Sequence, residues 1–251
     1  MGDGLKILAL ADLHDRPEQL SDLEGVEADL VVVCGDLHNG GPAEVARSTV
    51  DALASLGHPV LIVPGNTDPR PLAEKLWGEA GFVNLDRRAY RHCHTSLRLS
   101  LSHNQNMNQN QSQYQDQDQS IGFIGFGGMV PNNPRRIGDP GRYYHSDEEV
   151  YLVLAEIHEE IAGCDWRIVV THQPPRGDLG KIYNGEITGC ASLVKFIDDY
   201  QPDLLICGHI HEARGTADMG RTKVINVGDM GRGYSAMMEL NEGLQVTLNQ
   251  I

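Results

Sequence analysis

The sequence predicts an α/β protein, and three patterns carry that prediction. Short runs of β-branched and aliphatic residues recur along the chain, each bounded by Gly, Pro or a polar residue. Amphipathic segments of helical period separate the early runs, so strand and helix alternate as in a largely parallel sheet. After Gly220 the helical segments stop and short apolar runs follow one another, which reads as antiparallel strands.

Leu5 to Ala11 is the first strand, followed by Asp29 to Cys34, Pro59 to Val63, Arg167 to Thr171 and Asp203 to Cys207. They show little apolar/polar alternation, the mark of strands covered on both faces. Ala43 to Leu56 is an amphipathic helix stopped by Gly57, and Leu72 to Ala80 is a shorter one. Ser146-Asp147-Glu148-Glu149 is a capping box that opens a helix to Ala162, with Gly163 past its end. Ala191 to Tyr200 is a further helix, stopped by Pro202. The run Gly122 to Gly128 is glycine-rich but lacks the Lys-Ser/Thr of a phosphate loop, so it reads as a strand with close backbone packing. The late strands are Lys223 to Val227, Ala236 to Leu240 and Leu244 to Leu248. One low-complexity insert, rich in Asn and Gln, occupies residues 103–120 and is expected to form a loop at a hairpin tip. The whole chain, 1–251, is expected to form a single domain.

Lys and Arg total 20 against 35 Asp and Glu, a net charge of −15. A field of that sign repels nucleic acid and anionic lipid, so no general nucleic-acid binding is expected. An anionic substrate needs something locally positive to hold it. The five cysteines include no C-x-x-C pair, which suits a reduced, intracellular protein. Cys34 and Cys207 read as buried strand residues. No stretch approaches the roughly 18 apolar residues of a membrane span, and the first ten residues lack a signal peptide's basic region. The expected location is therefore cytoplasmic, with no membrane contact. Nothing in the pattern specifies an oligomeric state.

The strand ends carry the chemistry. The five early strands close on Asp12 and His14, on Asp36, on Asn66, on His172, and on His209 and His211. In an open α/β sheet, sites form at the carboxyl ends of strands, so seven oxygen and nitrogen donors are expected at one sheet edge. Such donors without thiolate suit borderline divalent ions such as Mn, Fe, Zn, Ni or Co. Seven donors are too many for one tetrahedral ion but fit two ions that share a bridging carboxylate. Two close metal ions lower the pKa of a water between them and clamp a phosphoryl group, which points to hydrolysis of a phosphate ester or related bond.

These residues resemble the calcineurin-like metallophosphoesterase family. Its pattern of D-x-H, G-D, G-N-H-[DE], a lone His after a strand and G-H-x-H is matched by Asp12-Leu13-His14, Gly35-Asp36, Gly65-Asn66-Thr67-Asp68, His172 and Gly208-His209-Ile210-His211. The surroundings Thr171 to Pro175 and Gly208 to Glu212 look most like its small, uncapped, single-domain Icc-like branch. The resemblance implies a four-layer αββα sandwich of two mixed sheets flanked by helices. It implies one ion on Asp12, His14, Asp36 and His211, and a second on Asp36, Asn66, His172 and His209, with Asp36 bridging and Mn the favoured metal. It also implies in-line attack on phosphorus by a hydroxide between the metals, on a small-molecule phosphate ester. A phosphodiester is favoured. The alternatives are a phosphomonoester or phosphoprotein substrate, or a metal-dependent scaffold without turnover.

One position departs from the family pattern. Thr67 stands where the family carries a His that assists the leaving group, and its hydroxyl is no acid near neutral pH. Asp68, which would orient that His, is present. His38 either replaces the missing acid beside Asp36 and Asn66 or is a solvated loop residue. Arg70, Arg176 and Arg214 each follow a ligand motif and either contact the phosphate or serve surface solubility; Arg16 lies near the first motif.

Overall fold

The computed structural model describes residues 4–40, 43–68, 70–102 and 111–250, with the side chains of 43, 45, 70–74, 96–102 and 111–117 outside that description. Two six-stranded mixed sheets lie face to face. The first has the order β12-β11-β1-β2-β3-β4 and the second β5-β6-β7-β8-β10-β9. In the first sheet are β1 (Leu5–Leu10), β2 (Leu30–Val33), β3 (Val60–Ile62), β4 (Val83–Asn84), β11 (Tyr234–Leu240) and β12 (Leu244–Gln250). In the second are β5 (Arg88–Ser102), β6 (Gln111–Phe126), β7 (Trp166–Thr171), β8 (Leu204–Cys207), β9 (Gly215–Met219) and β10 (Thr222–Asn226).

Three apolar layers explain why the central strands lack alternation. Leu5, Ile7 and Ala9 of β1 face the other sheet, where Phe123, Ile168, Val170 and Ile206 meet them. Leu8 and Leu10 of the same strand face outward, against Val50 and Leu53 of α1 (Ala43–Ser55) and Leu76 and Trp77 of α2 (Arg70–Glu79). On the far side, Ile124, Val169 and Leu205 are covered by Leu154 of α3 (Asp147–His158) and by Leu193 and Phe196 of α4 (Ala191–Tyr200). Each central strand is thus buried on both faces, and the result is the expected αββα sandwich. The edge strands β9 and β12 do alternate, because solvent covers one of their faces.

The capping box is half formed. Ser146 Oγ accepts from Glu149 N at 3.2 Å, while the Glu149 carboxylate turns instead to Arg87 and His145. After His158 the coil tightens into a 3₁₀ turn, Glu159–Ile161, so the α-helix stops short of Ala162. Gly122 and Gly125 bear out the close-packing reading, since an added Cβ would lie 2.5 Å from Ile161 Cβ or 2.6 Å from Leu85 Cβ.

Two expectations are corrected. β10 is not purely antiparallel: it pairs antiparallel with β9 but parallel with β8, because the turn after His211 adds a strand that the sequence pattern does not announce. The Asn/Gln-rich insert is not all loop. From Gln111 onward it forms the start of β6, in register with β5 as far as Ser102↔Gln111, and residues 103–110 lie outside the described residues. Main-chain pairing explains this, since a ladder of N–H and C=O groups needs no apolar side chain to close. β7 joins β6 only from Ile121. The outer part of the hairpin is therefore a ribbon that pairs with itself alone.

Such a ribbon is held by its own main-chain ladder. Replacing residues 98–115 by Asn-Gly keeps the Leu97↔Asp116 register and supplies a two-residue turn of matching twist. The shortened protein is expected to stay soluble, with a thermal midpoint within about 3 °C of the parent by circular dichroism. Loss of soluble protein would show that the ribbon packs on the body.

Candidate metal centre

The ligand residues leave their strands through sharp turns, and the backbone shows it. Asp12, His14, Asp36 and His209 have φ of 58°, 50°, 52° and 69°, in the left-handed region where non-glycine residues are uncommon. Such conformations cost on the order of 1–3 kcal/mol each and persist only where the surroundings hold them. Asp12 N donates to Gly35 O and His14 N to Asp36 O, each at 3.0 Å, so the loops after β1 and β2 hold one another. His209 N donates to Asp12 Oδ2 at 2.8 Å, tying the loop after β8 to the first sheet.

Asp68 fastens the second and third motifs. Its carboxylate is buried and accepts from Asp36 N, Gly65 N and His38 N at 2.9, 2.7 and 2.9 Å. Burial and the nearby Asp36 charge push its pKa up to about 7 against the Gly65 and His38 amides. The glycines of the motifs make room for carboxylates. A Cβ on Gly65 would fall against Asp36 Oδ1, and one on Gly208 would lie 2.6 Å from Asp12 Oδ2.

Six of the seven predicted ligands converge in two groups, Asp12 with His14 and His211, and Asp36 with His172 and His209. Within each group the ligand atoms all lie within 4.8 Å of one another. The seventh, Asn66, joins the second group, its Oδ1 being 3.1 Å from His172 Nε2. The groups draw on both sheets, β1 to β3 in one and β7 and β8 in the other. The single sheet edge expected from the strand ends is therefore corrected to two edges that meet.

The arrangement fits divalent cations. Asp12 Oδ1 is buried without a hydrogen bond, 3.4 Å from His211 Nε2 and 3.8 Å from His14 Nε2, so three atoms able to ligate a cation stand together. The far nitrogen of three imidazoles is already engaged. His14 Nδ1 lies 2.9 Å from Asn39 Oδ1, His172 Nδ1 is 2.7 Å from Cys34 O, and His211 Nδ1 is 3.3 Å from Asp229 Oδ2. Partners on Nδ1 leave Nε2 for a metal and fix the ring's orientation. The pKa values describe the same fit. His211 is pushed up to about 10 by Asp12 and Asp229. Burial pulls His172 down, yet the Asp36 carboxylate outweighs it and holds the pKa at about 9. His209, buried beside His172 and His211, falls to about 4. Two of the rings thus carry protons where cations would otherwise sit.

The remaining predicted residues fare unevenly. His38 is wholly buried, so it is not a solvated loop residue; burial, against the Asp15 carboxylate, lowers its pKa and leaves it neutral near pH 7. Thr67 donates from Oγ1 to His38 O at 2.6 Å and from N to Asp36 Oδ1 at 2.9 Å. Asp68, spent on three amides, does not wait to orient a ring at position 67. Arg214 turns away from the site, donating to Asn249 O at 2.8 Å over the Tyr234 ring. Arg16 is bound to Gly231 O at 2.7 Å, and Arg176 is exposed. Arg70 begins α2, and its side chain lies outside the described residues. Asn39, Asp15 and Asp229 were missed. Only Asp229 had a visible signal: Gly228-Asp229 follows the run Lys223 to Val227 as Gly35-Asp36 follows β2.

Comparison with known proteins agrees with this geometry. Residues 5–213 match the family described as calcineurin-like phosphoesterase. The chain is 28% identical over 231 residues to an uncharacterized protein of Methanocaldococcus jannaschii, MJ1162, covering 88% of this chain and 87% of that one. Among solved structures it is similar to TT1561 of Thermus thermophilus, with a TM-score of 0.68, 15% identity and 97% and 98% of the two chains covered. It is also similar to a dimetal phosphatase from Danio rerio, with a TM-score of 0.60, 13% identity and coverage of 99% and 97%.

Two outcomes follow from the site. Gly65→Ala is expected to displace Asp36 and weaken metal binding by about 10–100-fold, read by equilibrium dialysis with elemental analysis. Unchanged affinity would show that Asp36 does not ligate. Metal loading at pH 7.5 is expected to release close to two protons, from His172 and His211, because ligating imidazoles must be neutral. Affinity then rises with pH until about 9 to 10, where those groups lose their protons unaided. Calorimetry in buffers of different ionisation enthalpy measures the release, and a value near zero would contradict the assigned protonation.

Proposed function

The chain belongs to the calcineurin-like phosphoesterase family, and from that premise we propose that it is a two-metal hydrolase of small phosphodiesters. The observation that carries the reading is the pair of nitrogen/oxygen ligand groups, Asp12/His14/His211 and Asp36/His172/His209. In this reading Asn66 completes the second group and Asp36 is shared between the two ions. Divalent ions held there supply a water of lowered pKa and positive charge beside the ester oxygens.

The chain's own residues set the rest. Cys34 O, Asn39 and Asp229 hold three imidazoles with Nε2 turned inward. His14 and His211 are 17% and 24% exposed, while Asp12 and His172 are fully buried, so the ester enters from the His14/His211 side. One feature supports a diester, which carries one charge fewer than a monoester: Arg214, whose place after the last motif would suit a phosphate contact, is engaged by Asn249 O over the Tyr234 ring. No acid stands at Thr67, and His38 is neutral, so the leaving group departs with little protonation. Rates should then depend steeply on leaving-group pKa, because a well-placed acid contributes about 10²–10⁴-fold.

The test is a panel of phosphodiesters and phosphomonoesters run with Mn, Fe, Zn, Ni, Co and Mg in turn. The expected result is two ions per chain, faster turnover of diesters, and a stronger preference for aryl over alkyl leaving groups. Asp36→Asn, which touches both ions in this reading, is expected to cost more activity than Asn66→Ala. A protein that binds no metal under Mn saturation would end the proposal. One that binds two ions yet turns over no ester would instead be a metal-dependent scaffold, and faster monoester turnover would make it a phosphatase.

A further inference from the structure

The wall beside His211 is built for more than support. After the loop that follows His172, residues 181–187 form a tight hairpin: Lys181 and Ile187 pair across it, Ile182 N donates to Glu186 O at 3.0 Å, and Gly185 N donates to Ile182 O at 2.8 Å. Its tip carries Tyr183, which is 79% exposed. A lone exposed aromatic is ordinary. This one is held at both ends. Tyr183 N donates to Glu212 Oε1 at 3.0 Å, on the residue next to the ligand His211. The Tyr183 phenol also faces the Arg232 guanidinium and raises its pKa. Arg232 Nε lies 3.2 Å from Asp229 Oδ2, and the same oxygen lies 3.3 Å from His211 Nδ1. Tyr183 is thus linked through two residues to a ligand on the open side of the metal centre.

Between the hairpin and the turn His211–Ala213 lies a hollow of about 310 Å³, lined by Lys181, Ile182, Tyr183, Glu212, Ala213 and Asp178. A volume of this order holds a small organic group. The lining has two carboxylates against one ammonium, so it favours a group with no negative charge of its own. We propose that this hollow is the subsite for the ester's organic group, a ring that stacks on Tyr183 and bears no anionic substituent. The assignment rests on the phosphoesterase reading, and it makes Tyr183 a specificity residue for that reaction. Offset stacking of two rings has the range that would give about a fivefold preference for aryl over alkyl groups.

The test is calorimetric binding of three singly charged, non-hydrolysable diester mimics to Mn-loaded protein: the methylphosphinates that carry a benzyl, a propyl and a 4-carboxybenzyl group. The parent is expected to bind the benzyl probe about fivefold more tightly than the propyl probe and to disfavour the carboxylated ring. Tyr183→Phe should keep the aryl preference and Tyr183→Ala should abolish it, with metal content unchanged in both. Asp178→Asn should relax the penalty on the carboxylated ring. Equal affinity for the benzyl and propyl probes in the parent, or an aryl preference that survives Tyr183→Ala, would overturn the subsite. Because binding is read directly, a protein that shows the aryl preference but hydrolyses nothing would count against the phosphoesterase reading and leave the subsite standing.

Discussion

The Asp68 carboxylate is the knot on which the site depends. It lies buried between the loops after β2 and β3 and accepts three main-chain N–H groups, from Asp36, His38 and Gly65. Those bonds fix the turn that points Asp36 inward at positive φ. They also set the approach of Gly65, whose missing side chain leaves Asp36 Oδ1 its place. Loss of one acceptor here would leave buried donors unsatisfied, at about 1–3 kcal/mol each. The two sheets bring seven ligands to one place, but this carboxylate keeps the second and third motifs in step.

Around that knot, charges are arranged to be exchanged for metal. Asp12 and Asp36 are buried carboxylates, and buried carboxylates are stable only beside positive charge. Protonated His172 and His211 supply it in the metal-free protein, and their Nδ1 partners hold the rings in the orientation a cation would need. The same partners serve both states. A metal ion therefore replaces protons without rebuilding the site, which explains how a chain of charge −15 keeps an inner cluster of anions compact.

How much of this was legible depended on how many jobs a residue type can do. His, Asp and Asn at five strand ends have few reasons to gather, so the ligands could be read directly, as could the strands whose continuous apolar runs are covered twice. Arginine has many uses. Arg214 follows the last motif as a phosphate contact would, yet it packs on Tyr234 and binds Asn249 O, a partner 35 residues away. Asp229 and Asn39 act through imidazoles that they meet only after folding, and left-handed backbone at Asp12 or His209 has no compositional sign. Asp68 was read by analogy as a partner for a ring at position 67, whereas main-chain amides, which no side-chain pattern displays, had claimed it. The β5–β6 hairpin was expected, but its extension into the Asn/Gln-rich stretch was not, for a related reason: that pairing is main-chain pairing, which the composition does not announce.

The two halves of the centre are not equivalent, and that asymmetry organises the reaction. Asp36, Asn66 and His172 are buried, and Asp68 braces their loops from behind, so the inner half is held rigid by the core of both sheets. His14 and His211 are partly open; Asn39, which supports His14, is exposed, while Asp229, which supports His211, is buried. In the proposed reaction the ester approaches from this outer half. Its wall is the one that carries Arg232, Tyr183 and the hollow beyond His211. The proposed subsite would place selection of the organic group on the loops, where side chains can change at little cost to the fold. The chemistry stays on the strand ends, where each ligand is locked by a partner from another motif.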